Sequence, residues 1–248
     1  CGWLSFTQAD EIPRSDSPSR PAVDLERTRD RSPRSGALIG LSATSAAEYL
    51  GSDRRDFVVR PLAALRYGRF RISTSGSGGL IDFGTDTEAS GVSLDLVQSS
   101  DWKLRGGLRI SGGRSSSDSE RLAGIPDVRR TVLGRASVAY SLSRYWSVGT
   151  TLNADLLGRG SGLHATTGLT YRHPVASGTE LQVGAGFTLA NARHLNSYYG
   201  VPGFASTPTR PTYALGSGLK DAGVGITLTS ALASRWVAFG GLRYTRLL

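Results

Sequence analysis

The sequence has 248 residues, a formal charge of +9, 32 Gly, no Met and one Cys. The lone cysteine, Cys1, excludes a disulfide framework and a cysteine metal site. The basic excess comes without the aromatic-basic motifs of a nucleic-acid binder, so no nucleic-acid partner is expected.

Residues 1–35 hold six acids, six bases, Ser and several Pro with little periodicity. They are expected to form a flexible arm on the periplasmic side of whatever follows. Cys1-Gly2 suits the acylated start of a mature bacterial lipoprotein, and a trimmed sequence explains it equally. No later stretch reaches the roughly 18 apolar residues of a membrane helix. A mean hydropathy of -0.18 still fits a membrane barrel, whose apolar face occupies every second residue.

From Gly36 the period is two. After a strand at Ala37–Ala46, Phe57, Val59, Pro61, Ala63, Leu65 and Tyr67 share one face, with Arg60 and Arg66 on the other. Phe70 and Ile72 then oppose Arg69 and Arg71. Val92, Leu94 and Leu96 oppose Ser93 and Asp95, and Trp102, Leu104, Leu108 and Ile110 oppose Lys103, Arg105 and Arg109. The alternation recurs in 132–142, which includes Arg135, and in 146–156, 163–171, 181–189, 222–228 and 236–244. That makes about eleven strands, most near the roughly 9–11 residues that cross a bilayer.

The connections alternate between long (47–56, 75–89, 113–128, 157–161, 192–217) and tight (68, 98–101, 143–144, 174–178, 231–234). This predicts an all-β, antiparallel, up-and-down transmembrane β-barrel over residues 36–248, with tight turns in the periplasm and longer loops outside. Bacterial barrels use even strand numbers, so twelve strands are expected in the complete protein. The last would follow Arg246-Leu247-Leu248, leaving an open strand edge in the present chain.

Charges facing lipid at mid-bilayer cost about 2–4 kcal/mol each. Arg60, Arg66, Arg69, Arg71, Lys103, Arg105, Arg109 and Arg135 are therefore expected to face the lumen, as an anion-attracting patch or a wall paired with Asp95, Asp155 and Glu180. Catalysis has thin support. His164 and Asp155 could join a serine on paper, but no serine carries a nucleophile motif, and no metal-ligand spacing occurs. No enzyme activity, cofactor or metal is expected.

Three segments resemble the MltA-interacting protein/OmpV family of outer-membrane proteins. The first is Tyr49-Leu50-Gly51-Ser52-Asp53 with Phe57 and Pro61. The second is Gly113-Arg114, Asp118, Leu122, Gly124 and Asp127-Val128; the third is Asn196-Ser197-Tyr198-Tyr199-Gly200-Val201 with Gly218-Leu219-Lys220-Asp221. The resemblance implies an outer-membrane location, contact with membrane lipid and lipopolysaccharide, and a non-enzymatic scaffold role. The family's namesake joins a murein synthase to a lytic transglycosylase. Tyr198 and Tyr199 are candidate external contacts, and the charges of Lys220 and Asp221 are expected at a strand rim. A small channel for anionic or zwitterionic solutes is the alternative, and a lipid-modifying barrel enzyme the third reading.

Overall fold

The computed structural model describes residues 5–7, 35–47, 55–74, 91–118 and 122–248. A short strand, β1 (Ser5–Thr7), precedes eleven that follow the alternating segments. These are β2 (Ser35–Ala47), β3 (Arg55–Tyr67), β4 (Phe70–Ser73), β5 (Gly91–Gln98), β6 (Trp102–Ser111) and β7 (Thr131–Ser141). They continue with β8 (Trp146–Asp155), β9 (Leu163–Ala176), β10 (Thr179–Ala190), β11 (Gly218–Ala233) and β12 (Trp236–Leu247). The single α-helix among the described residues is α1 (Ala192–Tyr199).

From β2 to β12 each strand pairs antiparallel with its sequence neighbour, the meander of an up-and-down barrel wall. The edge of β12, expected to be open, carries β1, with Ser5 opposite Phe239 and Thr7 opposite Val237. β1 also lies against β2. No ladder joins those two among the described residues, so the ring of hydrogen bonds stops there.

Tight and long connections alternate as the sequence implied. Gly68, at φ 58°, makes the first described tight turn, between β3 and β4. The segments 48–54 and 75–90, and with them the Tyr49–Asp53 motif, lie outside the described residues.

The two faces of the wall are inverted relative to a water-soluble protein. Phe57, Leu65, Ile72, Leu108, Val224 and Leu242 point outward and are exposed. Ser42, Asn153, Thr188 and Asp221 point inward and are buried, each with no more than 1% of its surface accessible. Only hydrocarbon outside and a polar lumen inside make such a distribution favourable. Trp102, Trp146 and Trp236 are each the first residue of a strand leaving a tight turn. Trp102 packs on Tyr140 with ring centroids 4.6 Å apart, and Trp146 on Tyr171 at 5.0 Å. Such rings, apolar in body and polar at the tip, mark the tight-turn rim as a membrane–water interface.

Candidate functional site

Three of the arginines expected inside converge on one carboxylate. A bulge at Leu96 shifts the β5–β6 register after Asp95, which lies directly opposite Arg105. Arg105 Nε donates to Asp95 Oδ1 at 2.9 Å; Arg71 donates to Oδ2 through Nη2 at 3.0 Å and Nε at 3.2 Å. Arg66 Nη2 stands 3.6 Å from the same Oδ2 and donates to Gln98 Oε1 at 3.4 Å. Asp95 is 7% exposed, and three guanidiniums share this one buried carboxylate. Charge-assisted hydrogen bonds fix the geometry of β3, β4, β5 and β6 relative to one another.

The remaining candidates spread along the wall. Arg60, Arg109 and Arg135 hold inward positions by strand parity, Arg109 buried and in register with Leu133 and Gly91. Lys103 lies near the tight-turn end, where it, Arg105 and Arg172 line a lumen space of about 90 Å³. Arg69 is exposed in its turn; its carbonyl, not its guanidinium, meets β5 by accepting the Asp95 amide.

Among the described residues no arginine side chain is seen to pair with Asp155. Its carboxylate accepts from the Thr131 hydroxyl and from the Leu157 and Ser161 amides, so it anchors the loop 156–162. Lys220 and Asp221 are the third and fourth residues of β11, at its long-loop end, and both are buried. A register shift near Thr188 and Leu189 leaves Lys220 as an extra residue in β11. Two neighbours in sequence thereby both end up buried, and Lys220 Nζ reaches Asp221 Oδ2 at 3.2 Å.

At the other end, loops 112–130, 156–162 and 191–217 brace one another. Arg114 Nη1 donates to the Tyr198 carbonyl at 2.7 Å and Nη2 to that of Pro126 at 2.9 Å. Arg159 donates to Arg130 O, and Arg210 to both Ala123 O and Ala205 O. The Asn191 side chain caps α1 by accepting the His194 amide. Asn196 ties the helix to Leu215 in both directions.

The helix then reaches the wall. His194 Nδ1 lies 2.7 Å from Ser161 O, which can only accept, so that nitrogen carries the proton. The His194 ring packs 4.7 Å from that of His164 on β9 and 4.8 Å from Tyr198. His164 thus meets an imidazole. Tyr198 turns inward, its hydroxyl 3.1 Å from Ser161 Oγ; Phe204 and Tyr213 are the exposed aromatics of this loop. In loop 112–130 the Ser116 amide donates to Asp127 and holds its carboxyl below the usual carboxylate range. That link is present at neutral pH and is lost as pH falls through the lowered value. A cleft of about 540 Å³ remains between the loops, lined by Arg114, Asp127, Arg159, Val201, Phe204 and Tyr213 among others.

A meander of membrane-crossing strands with apolar residues outside, charged groups inside and alternating turn lengths defines an outer-membrane β-barrel of a Gram-negative cell. The chain belongs to the MipA family: the family model described as "MltA-interacting protein MipA" matches residues 39–248. No curated protein matches the chain. Among solved structures it is similar to Pseudomonas aeruginosa OccK11 (OpdR), at 12% identity and a TM-score of 0.37, covering 98% of this chain and 63% of that one. It is also similar to Salmonella typhi OmpF in complex with daunomycin, at 9% identity and a TM-score of 0.35, covering 99% and 97%.

Proposed function

We propose that the protein is a scaffold of the cell envelope, using its periplasmic side to hold a murein synthase near a lytic transglycosylase. The observation that carries this reading is where the flanks of residues 8–34 are attached. β1 runs toward the tight-turn rim and ends at Thr7, opposite Val237. β2 starts from the same rim at Ser35, opposite Tyr67. The segment between them, with equal numbers of acids and bases, is therefore tethered at both ends on the side facing murein. The external loops, by contrast, spend Arg114, Asn196 and Tyr198 on each other.

A photo-crosslinking residue placed at Val23 in the full chain should capture murein enzymes from growing cells. The same residue at Phe204 should not. Capture from Phe204 alone would overturn the scaffold reading.

A second reading, a small channel for anionic or zwitterionic solutes, draws on the three arginines gathered around Asp95. In planar bilayers a conducting protein should select anions at 0.1 M salt and lose that preference at 1 M, as the Debye length falls from about 10 Å to about 3 Å. Arg66→Gln should weaken the selectivity. Absence of conductance would remove this reading and leave the arginines as wall structure.

A further inference from the structure

The cleft between the external loops is bordered by two short backbone bridges. Arg114 and Val128 exchange backbone hydrogen bonds at 2.9 and 2.8 Å, and Val201 and Tyr213 do so at 2.8 and 3.0 Å. Residues directly opposite in an antiparallel bridge project their side chains to the same side. Val128 with Arg114, and Val201 with Tyr213, therefore reach the cleft as pairs, and all four line it. Gly160 closes one end. Its φ of 103°, and the 3.2 Å that a Cβ there would leave to Ser197 Oγ, bring this chain close to α1 and set Arg159 at the margin. Phe204 stands in the 3-10 turn Gly203–Ala205, which Arg210 holds through the Ala205 carbonyl at 3.0 Å.

The lining divides by depth. Ile125, Val128 and Val201 are buried and form an apolar inner wall, while Phe204 and Tyr213 are 82% and 56% exposed. Among the described residues neither of these rings packs on another, so two aromatic faces stand open to water beside one pocket. About 540 Å³ is the size of a small-molecule site, which is mostly apolar with a few placed polar groups. The charges favour an anion. Asp127, kept ionised by the Ser116 amide, lies in the field of Arg114, so those two opposite charges offset each other. Arg159 is exposed and pairs with no carboxylate among the described residues. Its Nη1 donates to the Arg130 carbonyl at 2.8 Å, while Nε and Nη2 bond to no described residue. Those two nitrogens form one edge of the guanidinium, a planar fork that matches a carboxylate.

We propose that the cleft binds a small aromatic carboxylate, its ring against Phe204 and Tyr213 and its carboxylate on the Nε–Nη2 edge of Arg159. A neutral arene would leave that edge unpaired, and a cationic one would meet Arg159 with like charge. The site is at the long-loop end, away from the rim where residues 8–34 are attached, and stands independently of the scaffold reading.

The test uses the full chain folded in phosphatidylcholine nanodiscs, dialysed to equilibrium against tritiated 2-naphthoate. Saturable binding of one molecule per chain is expected. 2-Naphthylmethanol, the same ring without the charge, should compete at least about tenfold less well, the loss expected for a hydrogen bond to a charged group. Arg159→Gln should weaken 2-naphthoate by a similar factor and leave the competitor unchanged, whereas Phe204→Ala should weaken both. Arg129→Gln removes a charge from the same loops outside the cleft and should leave the affinity unchanged. Heat-modifiable gel migration verifies that each variant is a folded barrel. Absence of saturable 2-naphthoate binding, or binding unchanged by Arg159→Gln or by Phe204→Ala, would overturn the site. Equal competition by 2-naphthylmethanol would overturn the choice of a carboxylate. Displacement of 2-naphthoate by lipid A would assign the cleft to lipopolysaccharide and overturn the small acid as its occupant.

Discussion

Asp95→Asn is expected to destabilise the barrel by about 3 kcal/mol, the low end of the cost of removing one partner from a buried ion pair. The substitution keeps the shape of the side chain and one acceptor oxygen, so the change isolates the charge. Three guanidiniums then face one another with their shared counter-ion gone. Their side chains remain 18–21% exposed, and the water this admits keeps the cost from rising further. The measurement is the urea midpoint of folding in lipid vesicles. Adding Arg71→Gln to Asp95→Asn should recover most of the loss, because the bidentate partner of the missing carboxylate is removed with it. A midpoint unmoved by Asp95→Asn would mean that lumen water, and not Asp95, solvates the arginines.

Much of this architecture is written in the spacing of residues. The period of two locates all eleven strands from β2 to β12, since hydrocarbon outside and polar groups inside leave the chain no other pattern. Strand parity likewise puts Arg60, Arg66, Arg71, Arg105, Arg109 and Arg135 on the inner face. What parity cannot supply is height and partner. Asp95 and Asp155 look alike as inward acids, yet one collects arginines while the other closes a loop. Bulges hide for a related reason. One extra residue at Leu96 or Lys220 breaks the alternation locally, and only pairing with the neighbouring strand reveals on which side it falls. β1 is three residues long and its partner lies near the other end of the chain, so no local pattern announces it. In the external loops the acceptors of Arg114, Arg159 and Arg210 are backbone carbonyls, which every residue has and no sequence marks.

Gly113→Ala is expected to release the external loops while leaving the barrel folded. Gly113 holds φ at 78°, and a Cβ built there would lie 1.9 Å from the Val128 carbonyl oxygen. No side-chain rotation relieves an overlap with backbone, so the strand-like bridge between Arg114 and Val128 must separate. With the bridge goes the position of Arg114, whose guanidinium reaches across to the Tyr198 carbonyl and so ties this loop to α1. Left-handed backbone strain and forced overpacking together cost about 2–6 kcal/mol, against about 1–3 kcal/mol for the two backbone hydrogen bonds that make up the bridge. The loop should therefore open and not merely stretch. Added to intact cells, a protease should cut loop 112–130 in the variant many times faster than in the wild type. Arg114→Ala should reproduce part of the effect, since it removes the tether but keeps the turn. Tight-turn residues should stay protected in both, because they lie on the far side of the membrane. Equal cleavage of wild type and Gly113→Ala would show that the loops are held by contacts other than the Gly113–Val128 bridge.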